Sequence, residues 1–126
     1  MEKRINELIS ICEDNRYTDL EIKKIKKAIE FASFQHEGMK RKNGDEYITH
    51  PIEVAIIVAN LNTDAETVVS ALVHETVDHG SSSFEELGEL FGDDVKSIVV
   101  SLTKVNRLHL LDASESSSLY LRKVLV

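Results

Sequence analysis

The chain has 126 residues, a length that suits one compact domain and leaves little room for a second. Its 15 basic and 22 acidic residues give a formal net charge of −7 at pH 7, which argues against a general binder of nucleic acids or acidic membranes. The apolar share of 42% and the charged share of 29% are typical of a soluble globular protein and exclude wholesale disorder.

The cysteine count indicates a reducing compartment, and the hydropathy pattern argues against a membrane span. Cys12 is the only cysteine, so an internal disulfide framework is excluded, and a free thiol fits the cytoplasm. No apolar run approaches the ~18 residues that a membrane span needs, and no hydrophobic segment follows residues 1–4. We therefore expect a cytoplasmic protein without a signal peptide or a membrane span.

Sparse glycine and proline predict an all-α fold. The chain contains one proline and five glycines, and no run alternates apolar with polar residues. A first helix is predicted at about residues 5–15. A second begins near Thr18, because Thr18 and Glu21 have the spacing of a capping box and the apolar residues that follow recur every three or four positions.

Residues 38–47 are polar and basic, and they are predicted to form a loop. Thr49 is a good N-cap for a third helix that has Pro51 in its first turn. Residues 54–61 are apolar on nearly every side, which predicts that this helix is central and that Ile57 is a core position.

A fourth helix is predicted to follow the N-cap Asp64 and to run to about residue 77, with Gly80 as its stop. Its apolar residues leave no sizeable polar face, so Leu72 is a core position. Ser83 and Glu86 form a second capping-box pair. The remaining predicted elements are a short helix ending near residues 91–92, a helix from Asp93 or Asp94 to about residue 103, a serine-rich loop or weak helix entry at 112–118, and a helix at 119–126.

Two histidines and a carboxylate are candidate metal ligands. His50 lies at the start of the third helix, and His74 and Glu75 lie on the fourth; antiparallel helices joined by a short turn can bring such positions together. Two imidazole nitrogens and a carboxylate oxygen suit a divalent transition metal and leave positions open for water. Asp78 and His79 lie one helical turn further on and can face the same site. The alternative interpretation is an acidic helix that carries surface histidines.

A compact cationic cluster lies in the predicted loop beside these residues. It consists of Lys40, Arg41 and Lys42. Arginine offers planar, bidentate contacts to phosphate and lysine supplies a point charge, although a solvated loop tip has the same composition. His36 ends the apolar stripe of the second helix, where it is either a site residue or a hydrogen-bonded core histidine.

The motifs in this order resemble a known family. The segment HEGMKRKNGDEYITHP at residues 36–51 closely resembles the start of the RelA/SpoT-type HD hydrolase domain. The segments that continue the likeness in the same order and spacing are ALVHETVDH at 71–79, FEEL at 84–87, FG at 91–92 and LTK at 102–104. The match covers roughly residues 28–104, and the tail segment YLRKVL is similar to the helix that follows in the family.

The resemblance implies an all-helical, metal-dependent phosphohydrolase that removes the 3′-pyrophosphate from guanosine tetra- and pentaphosphate, usually with manganese. It implies that His50 and His74 are metal ligands and that Glu75 stands where the family has the Asp of its His-Asp pair. It also implies that Arg41 and Lys42 contact the nucleotide.

The chain departs from the family pattern in three ways. Glu75 is one methylene longer than Asp. Asp78 and His79 stand where the family has the Glu-Asp pair that helps to activate water, and we expect them to be the catalytic residues here. The family's fourth metal ligand, an Asp in a later Asp-Arg-x-His-Asn segment, has no counterpart, because the similar segment at 106–109 comes too early and begins with Asn. With three of four ligands, we expect weak metal binding and little turnover.

The leading interpretation is a guanosine-3′,5′-bis(diphosphate) 3′-pyrophosphohydrolase-like HD domain of the stringent response. Residues 1–126 then form one HD-type helical bundle that lacks the C-terminal helices of the family domain. Two alternatives stay open. One is a catalytically inactive nucleotide-binding or regulatory HD domain, and the other is the N-terminal fragment of a bifunctional synthetase/hydrolase. In each case the expected partner is a guanosine nucleotide, with neither nucleic acid nor membrane.

Overall fold

The computed structural model describes residues 1–111, and the elements found there are helical. They are α1 (Glu2–Asp14), α2 (Asp19–Gln35), α3 (Thr49–Asn60), α4 (Ala65–Val73), α5 (Phe84–Phe91) and α6 (Asp93–Leu111). Within residues 1–111 there is no strand, and the β-type pairing present is an isolated antiparallel bridge between Lys40 and Glu46. The all-α prediction is confirmed, whereas the predicted elements at 112–118 and 119–126 lie outside the described residues.

Side-chain caps explain where two of the helices begin. The Thr18 hydroxyl accepts a hydrogen bond from the Glu21 amide at 3.1 Å, and the Glu21 carboxylate accepts one from the Thr18 amide at 2.8 Å, which completes the predicted capping box. Asp64 accepts a hydrogen bond from the Thr67 amide at 2.9 Å at the start of α4. These two predicted caps are therefore confirmed.

Two other predicted caps are wrong in part. The Ser83 hydroxyl accepts a hydrogen bond from the Glu86 amide at 3.2 Å, but the Glu86 carboxylate bonds to the Ser82 hydroxyl at 2.8 Å instead of closing a capping box. Thr49 is the first residue of α3, and the N-cap is Ile48. The helical turn starts earlier because the Thr49 amide already donates to the carbonyl of Glu46 at 3.1 Å.

Helix α4 ends four residues before the predicted end. It stops at Val73, and residues 74–78 form turns. The reason is local, since both the amide and the hydroxyl of the buried Thr76 donate to the Val73 carbonyl, at 3.1 and 2.8 Å. As a consequence, His74 and Glu75 lie in the turn after the helix and not on it, which corrects the sequence-based placement.

Gly80 follows this turn and packs closely against the backbone of Thr76 and the side chain of Gln35. A Cβ atom there would lie 2.6 Å from the Thr76 carbonyl oxygen and 2.8 Å from Oε1 of Gln35. The same Gln35 oxygen accepts a hydrogen bond from the Ser81 amide at 2.7 Å. The turn after α4 is thereby attached to the end of α2, where the basic loop begins.

Helix α4 is the centre of the described fold. It packs against α2, α3 and α6, while α1 packs against α3 and α2, and α5 packs against α6. Its buried residues are Ala65, Val68, Val69, Ser70, Ala71, Leu72 and Val73. No helix in the described part of the chain is long and apolar enough to cross a membrane.

Helix α3 is buried on one side only. Pro51, Ile52, Ala55, Ile56 and Ala59 face the core. The prediction that Ile57 is a core position is wrong, because 57% of this residue is exposed, as is 71% of Leu61. Helices α1 and α4 cover the inner face of α3, so the apolar residues on the opposite face stay in water.

Contacts from α1 and from the residues that follow it hold α3 at both of its ends. Arg4 makes a bidentate contact to Glu53 near the start of α3. At the other end, Asn15 donates to the Ala59 carbonyl at 2.8 Å, and the Tyr17 hydroxyl donates to the Thr63 carbonyl. Because His50 lies in the first turn of α3, these contacts also hold the backbone of that residue in place.

The different burial of Leu72 and Ile57 gives a first test. Leu72 is fully buried, so Leu72→Ala should lower the free energy of unfolding by about 2–5 kcal/mol through lost contacts and a residual cavity. Ile57→Ala should lower it by only about 0.5 kcal/mol, because the residue is mostly in water. Urea denaturation of both variants measures the two values, and equal losses would contradict this assignment of the core.

The burial of Cys12 gives a second test. Its side chain is inaccessible, and burial raises the pKa of the Cys12 thiol to about 11. Because the thiolate is the reactive form, we expect a disulfide reagent to modify the native protein more than about 100-fold more slowly than the urea-unfolded chain at the same pH. Absorbance of the released thiol reports the rate, and equal rates would show that Cys12 is accessible.

Candidate metal and nucleotide site

Three segments meet at one cavity. The loop between α2 and α3, the first turn of α3 and the turn after α4 surround a cavity of about 510 Å³. Its lining residues are Lys40, Arg41, Lys42, Asn43, Tyr47, His50 and Glu75. The structure therefore places the predicted cationic cluster beside two of the three predicted metal ligands.

The basic loop is folded back on itself by backbone hydrogen bonds. The Tyr47 amide donates to the Met39 carbonyl at 2.9 Å, and the Arg41 amide donates to the Asp45 carbonyl at 2.8 Å. Gly44 turns the chain at a φ of 92°, a left-handed conformation that favours glycine. The hairpin-like loop thus holds Lys42 and its two cationic neighbours at the rim of the cavity.

The two predicted histidine ligands converge on the carboxylate of Glu75. Nε2 of His50 lies 3.1 Å from Oε1 of Glu75, and Nε2 of His74 lies 3.2 Å from the same oxygen. The three side chains are only 11–16% exposed, so these contacts are little weakened by water. The structure brings His50, His74 and Glu75 together, and their metal-binding role stays a prediction.

The orientation of the His74 ring is fixed from its other side. Nδ1 of His74 lies 2.8 Å from the carbonyl oxygen of Ala71. Because a carbonyl oxygen only accepts hydrogen bonds, Nδ1 carries a proton. In the neutral ring, Nε2 is then the nitrogen with a free lone pair, and it is directed toward Glu75 and the site.

The pKa values of His74 and Glu75 shift in opposite directions. Burial on its own lowers the pKa of His74, but the hydrogen bond to Glu75 and its negative charge outweigh burial, so the net shift is upward. Burial on its own raises the pKa of Glu75, but the hydrogen bonds from His50, His74 and Tyr47 bring it well below its usual range. The described site is thus a largely buried carboxylate held by contacts from three side chains.

Tyr47 is a site residue that the sequence analysis missed. Its hydroxyl donates a hydrogen bond to Oε2 of Glu75, on the opposite carboxylate oxygen from the two histidines. Burial, together with this hydrogen bond and the charge of Glu75, raises the pKa of Tyr47. The sequence feature that could have indicated this role is an aromatic residue at the end of an otherwise polar loop, three residues before His50.

Aromatic contacts surround the Tyr47 ring. The ring of His36 lies 4.7 Å from it between centroids, and the ring of His79 lies 5.6 Å from it. His36 is only 2% exposed, so it is a core residue. Its ring nitrogens have no hydrogen-bond partner of good geometry among the described residues, so the prediction that a core His36 is hydrogen-bonded is wrong. Burial lowers the pKa of His36, which favours the neutral ring.

Asp78 and His79 occupy the exposed part of the turn after α4. His79 contacts the Tyr47 ring, and its amide donates to the Glu75 carbonyl at 2.8 Å. Among the described residues, the lining of the cavity does not include Asp78 or His79. The catalytic role predicted for this pair stays a prediction.

The donor set fits a divalent metal by its chemistry. Two imidazole nitrogens and a carboxylate oxygen are ligands that a divalent transition metal accepts. The carboxylate contacts both imidazoles directly, and within residues 1–111 no group of three or more His, Cys, Asp or Glu side chains is already arranged around an ion. Binding of a metal therefore requires these side chains to separate, with each imidazole presenting an unprotonated nitrogen to the ion.

The fold and this arrangement of histidines define a helical domain family. A family model described as HD domain matches residues 28–126, which is most of the chain. The chain therefore belongs to the HD domain family. This finding confirms the resemblance that the motifs between His36 and Lys104 indicate in the sequence.

The chain is similar in sequence to several curated proteins. The bifunctional (p)ppGpp synthase/hydrolase SpoT of Escherichia coli K12 is 33% identical over 106 residues, which are 84% of this chain and 15% of that protein. The guanosine-3′,5′-bis(diphosphate) 3′-pyrophosphohydrolase of Aquifex aeolicus is 40% identical over 84 residues, which are 67% of this chain and 12% of that protein. The probable GTP pyrophosphokinase of Mycobacterium leprae is 41% identical over 95 residues, which are 75% and 12% of the respective chains. The chain thus spans less than a sixth of the length of these relatives.

A solved structure supports the same fold. It is that of a metazoan ortholog of SpoT described as hydrolyzing ppGpp, and it matches with a TM-score of 0.56 and 31% sequence identity. The match covers 60% of this chain and 45% of that chain. The predicted HD-type helical fold is confirmed by this likeness.

The opposite pKa shifts of Glu75 and His74 predict how stability depends on pH in chelator-treated protein. The lowered Glu75 pKa stabilises the fold above the unfolded value of 4.5, and this stabilisation is lost as the pH falls toward the folded pKa. The raised His74 pKa stabilises the fold below the unfolded value of 6.5, and this stabilisation is lost as the pH rises through the folded pKa. We expect the free energy of unfolding of the wild type to exceed that of Glu75→Gln most between about pH 4.5 and 6.5.

Urea denaturation at a series of pH values measures this margin. Glu89→Gln, at an exposed position of α5, is the matched control and should show no such maximum. A margin between wild type and Glu75→Gln that stays constant from about pH 3 to about pH 8 would show that the described contacts are not formed.

Proposed function

We propose that this chain is a hydrolase-type HD domain that binds guanosine 3′,5′-bis(diphosphate) and acts on its 3′-pyrophosphate by metal-dependent hydrolysis. The observation that carries the proposal is the convergence of His50 and His74 on Glu75, which together with His50 lines a cavity with a cationic rim. The names of the relatives from Escherichia coli and Aquifex aeolicus support the choice of substrate class. The single cysteine and the nucleotide substrate fit a cytoplasmic location. A single domain over residues 1–126 is part of this proposal.

His50, His74 and Glu75 would hold a divalent ion, which is manganese by the family resemblance. When bound, such an ion acidifies a water molecule and offsets charge on a phosphoryl oxygen. The Ala71 carbonyl keeps the proton of His74 on Nδ1, so Nε2 is the nitrogen available to an ion. Glu75 supplies the negative charge that favours a cation in this half-buried position.

The cationic rim is suited to a nucleotide with two diphosphate groups. Arg41 is half-buried and its backbone is fixed in the folded-back loop, so its guanidinium can make bidentate contacts with little loss of freedom. Lys42 is exposed and supplies a charge without fixed geometry. We therefore assign phosphate and base contacts to Arg41 and charge compensation to Lys42.

Asp78 and His79 are assigned to proton transfer near the substrate. Both are exposed in the turn that also carries His74 and Glu75. Neither lines the cavity, so they would exchange protons only with a substrate that extends from the cavity toward this turn. His79 has a different charge and reach from the acid of the family pattern. For this reason we propose slow turnover in the chain of 126 residues.

A catalytically inactive nucleotide-binding domain is the second candidate. The observation that favours it is that Glu75 already has Tyr47, His50 and His74 as partners, so an ion has to displace existing contacts. In this candidate the basic loop still binds the nucleotide, and no hydrolysis follows.

Nucleotide binding and product release distinguish the two candidates. We expect guanosine 3′,5′-bis(diphosphate) to bind weakly, with an affinity that falls as salt concentration rises, because exposed cations hold its phosphates. Arg41→Ala should weaken binding, whereas the matched control Lys23→Ala, at an exposed position of α2, should not. Isothermal titration calorimetry measures both variants.

Pyrophosphate detection with manganese present measures turnover in the same preparations. We expect little release from the wild type, because a ligand misplaced by about 1 Å can cost about a hundredfold in rate. Robust release that His74→Ala abolishes would establish the hydrolase and show that the three departures are tolerated. Binding without release favours the inactive domain, and the absence of both, with no effect of Arg41→Ala, would contradict the proposed function.

A further inference from the structure

We propose that Tyr47 is a positioning residue that orients the carboxylate of Glu75 toward His50 and His74. The inference deepens the proposed function and rests on it for the identity of the bound ion. Its basis is that the two carboxylate oxygens of Glu75 have different partners. Oε2 accepts the hydrogen bond from the Tyr47 hydroxyl, and Oε1 faces both imidazole Nε2 atoms.

The length of the Glu75 side chain makes such a contact necessary. A glutamate has one more rotatable bond than an aspartate, so more freedom is lost when its carboxylate is held in one orientation. The contacts of His50 and His74 both fall on Oε1, and a carboxylate held at one oxygen can still pivot about that oxygen through the other torsions of its side chain. A donor on Oε2 removes this freedom, and Tyr47 supplies it.

The Tyr47 ring is itself held in place. Its backbone amide donates to the Met39 carbonyl at 2.9 Å, which ties the residue into the folded-back loop. The rings of His36 and His79 contact it at centroid distances of 4.7 and 5.6 Å. The hydroxyl is therefore presented to Glu75 from a fixed position.

This arrangement gives His79 and His36 a physical role that does not require contact with a substrate. The buried His36 packs against the tyrosine ring, and the exposed His79 contacts it from the turn after α4. The loop that carries Tyr47 and the turn that carries Glu75 are thus joined by ring contacts and by one hydrogen bond. Losing the hydroxyl should leave the ring contacts intact and release only the carboxylate.

The first measurement uses the chelator-treated protein. Tyr47→Phe removes the hydroxyl and retains the ring. We expect it to shift the Nε2 resonances of His50 and His74 in a long-range proton–nitrogen spectrum, because their carboxylate partner becomes free to rotate. Tyr17→Phe is the matched control, since the Tyr17 hydroxyl also donates to an oxygen atom, but its acceptor is the Thr63 carbonyl and its position is the connection between α1 and α2. It should leave these resonances unchanged.

The second measurement tests whether Tyr47 acts through Glu75. In a Glu75→Ala background, Tyr47→Phe should cause no further shift of the histidine resonances, because the group that it positions is gone. Equal shifts in both backgrounds, or no shift in either, would overturn the proposal. Circular dichroism and urea denaturation establish that each variant is folded.

The third measurement follows the binding of manganese by electron paramagnetic resonance of the free ion. Loss of a residue that orients a ligand typically weakens metal affinity by about 10–100-fold, and we expect a loss in this range for Tyr47→Phe and none for Tyr17→Phe. Manganese binding that is equal in wild type and Tyr47→Phe would overturn the positioning role and leave the proposed function standing. Histidine shifts that depend on Glu75, in a wild type that binds no manganese, would establish the positioning role and contradict the metal-dependent function.

Discussion

A half-buried carboxylate needs partners for its charge, and in this domain Glu75 finds them on three different segments of the chain. His50 comes from the first turn of α3, Tyr47 from the loop before it, and His74 precedes Glu75 in the turn after α4. Each contact offsets part of the cost of removing the charge from water. The geometry of the site follows from this requirement, because the loop and the turn must approach each other closely enough for all three donors to reach one carboxylate.

The approach depends on where α4 ends. If α4 continued to residue 77, His74 and Glu75 would point from the side of a regular helix, with directions about 100° apart. The bonds from Thr76 to the Val73 carbonyl end the helix first, and His74 and Glu75 then lie in an irregular turn that allows both side chains to meet. The buried Thr76 hydroxyl thus contributes to the placement of His74 and Glu75 without contacting either side chain.

The helices and most of their starts could be predicted from the sequence because their causes are local. The hydroxyl of Thr18 and the carboxylate of Asp64 act within three residues, so spacing alone reveals them. The exposure of Ile57 could not be predicted in this way, because it depends on which neighbours cover α3. The residues of the site were accessible through their likeness to a family, whereas the part played by Tyr47 depends on a contact with a residue 28 positions away. Such contacts leave no periodic pattern in a single sequence.

The close approach at Gly80 has a consequence for how sequences of this family can diverge. The glycine faces the Thr76 carbonyl and the Gln35 side chain, and the Ser81 amide bonds to that same side chain. A side chain at position 80 would meet the Thr76 carbonyl oxygen first, and because this atom is backbone, a shorter residue at position 35 alone does not make room for it. Position 80 is therefore expected to stay glycine in related chains wherever the turn after α4 follows this same path past the end of α2.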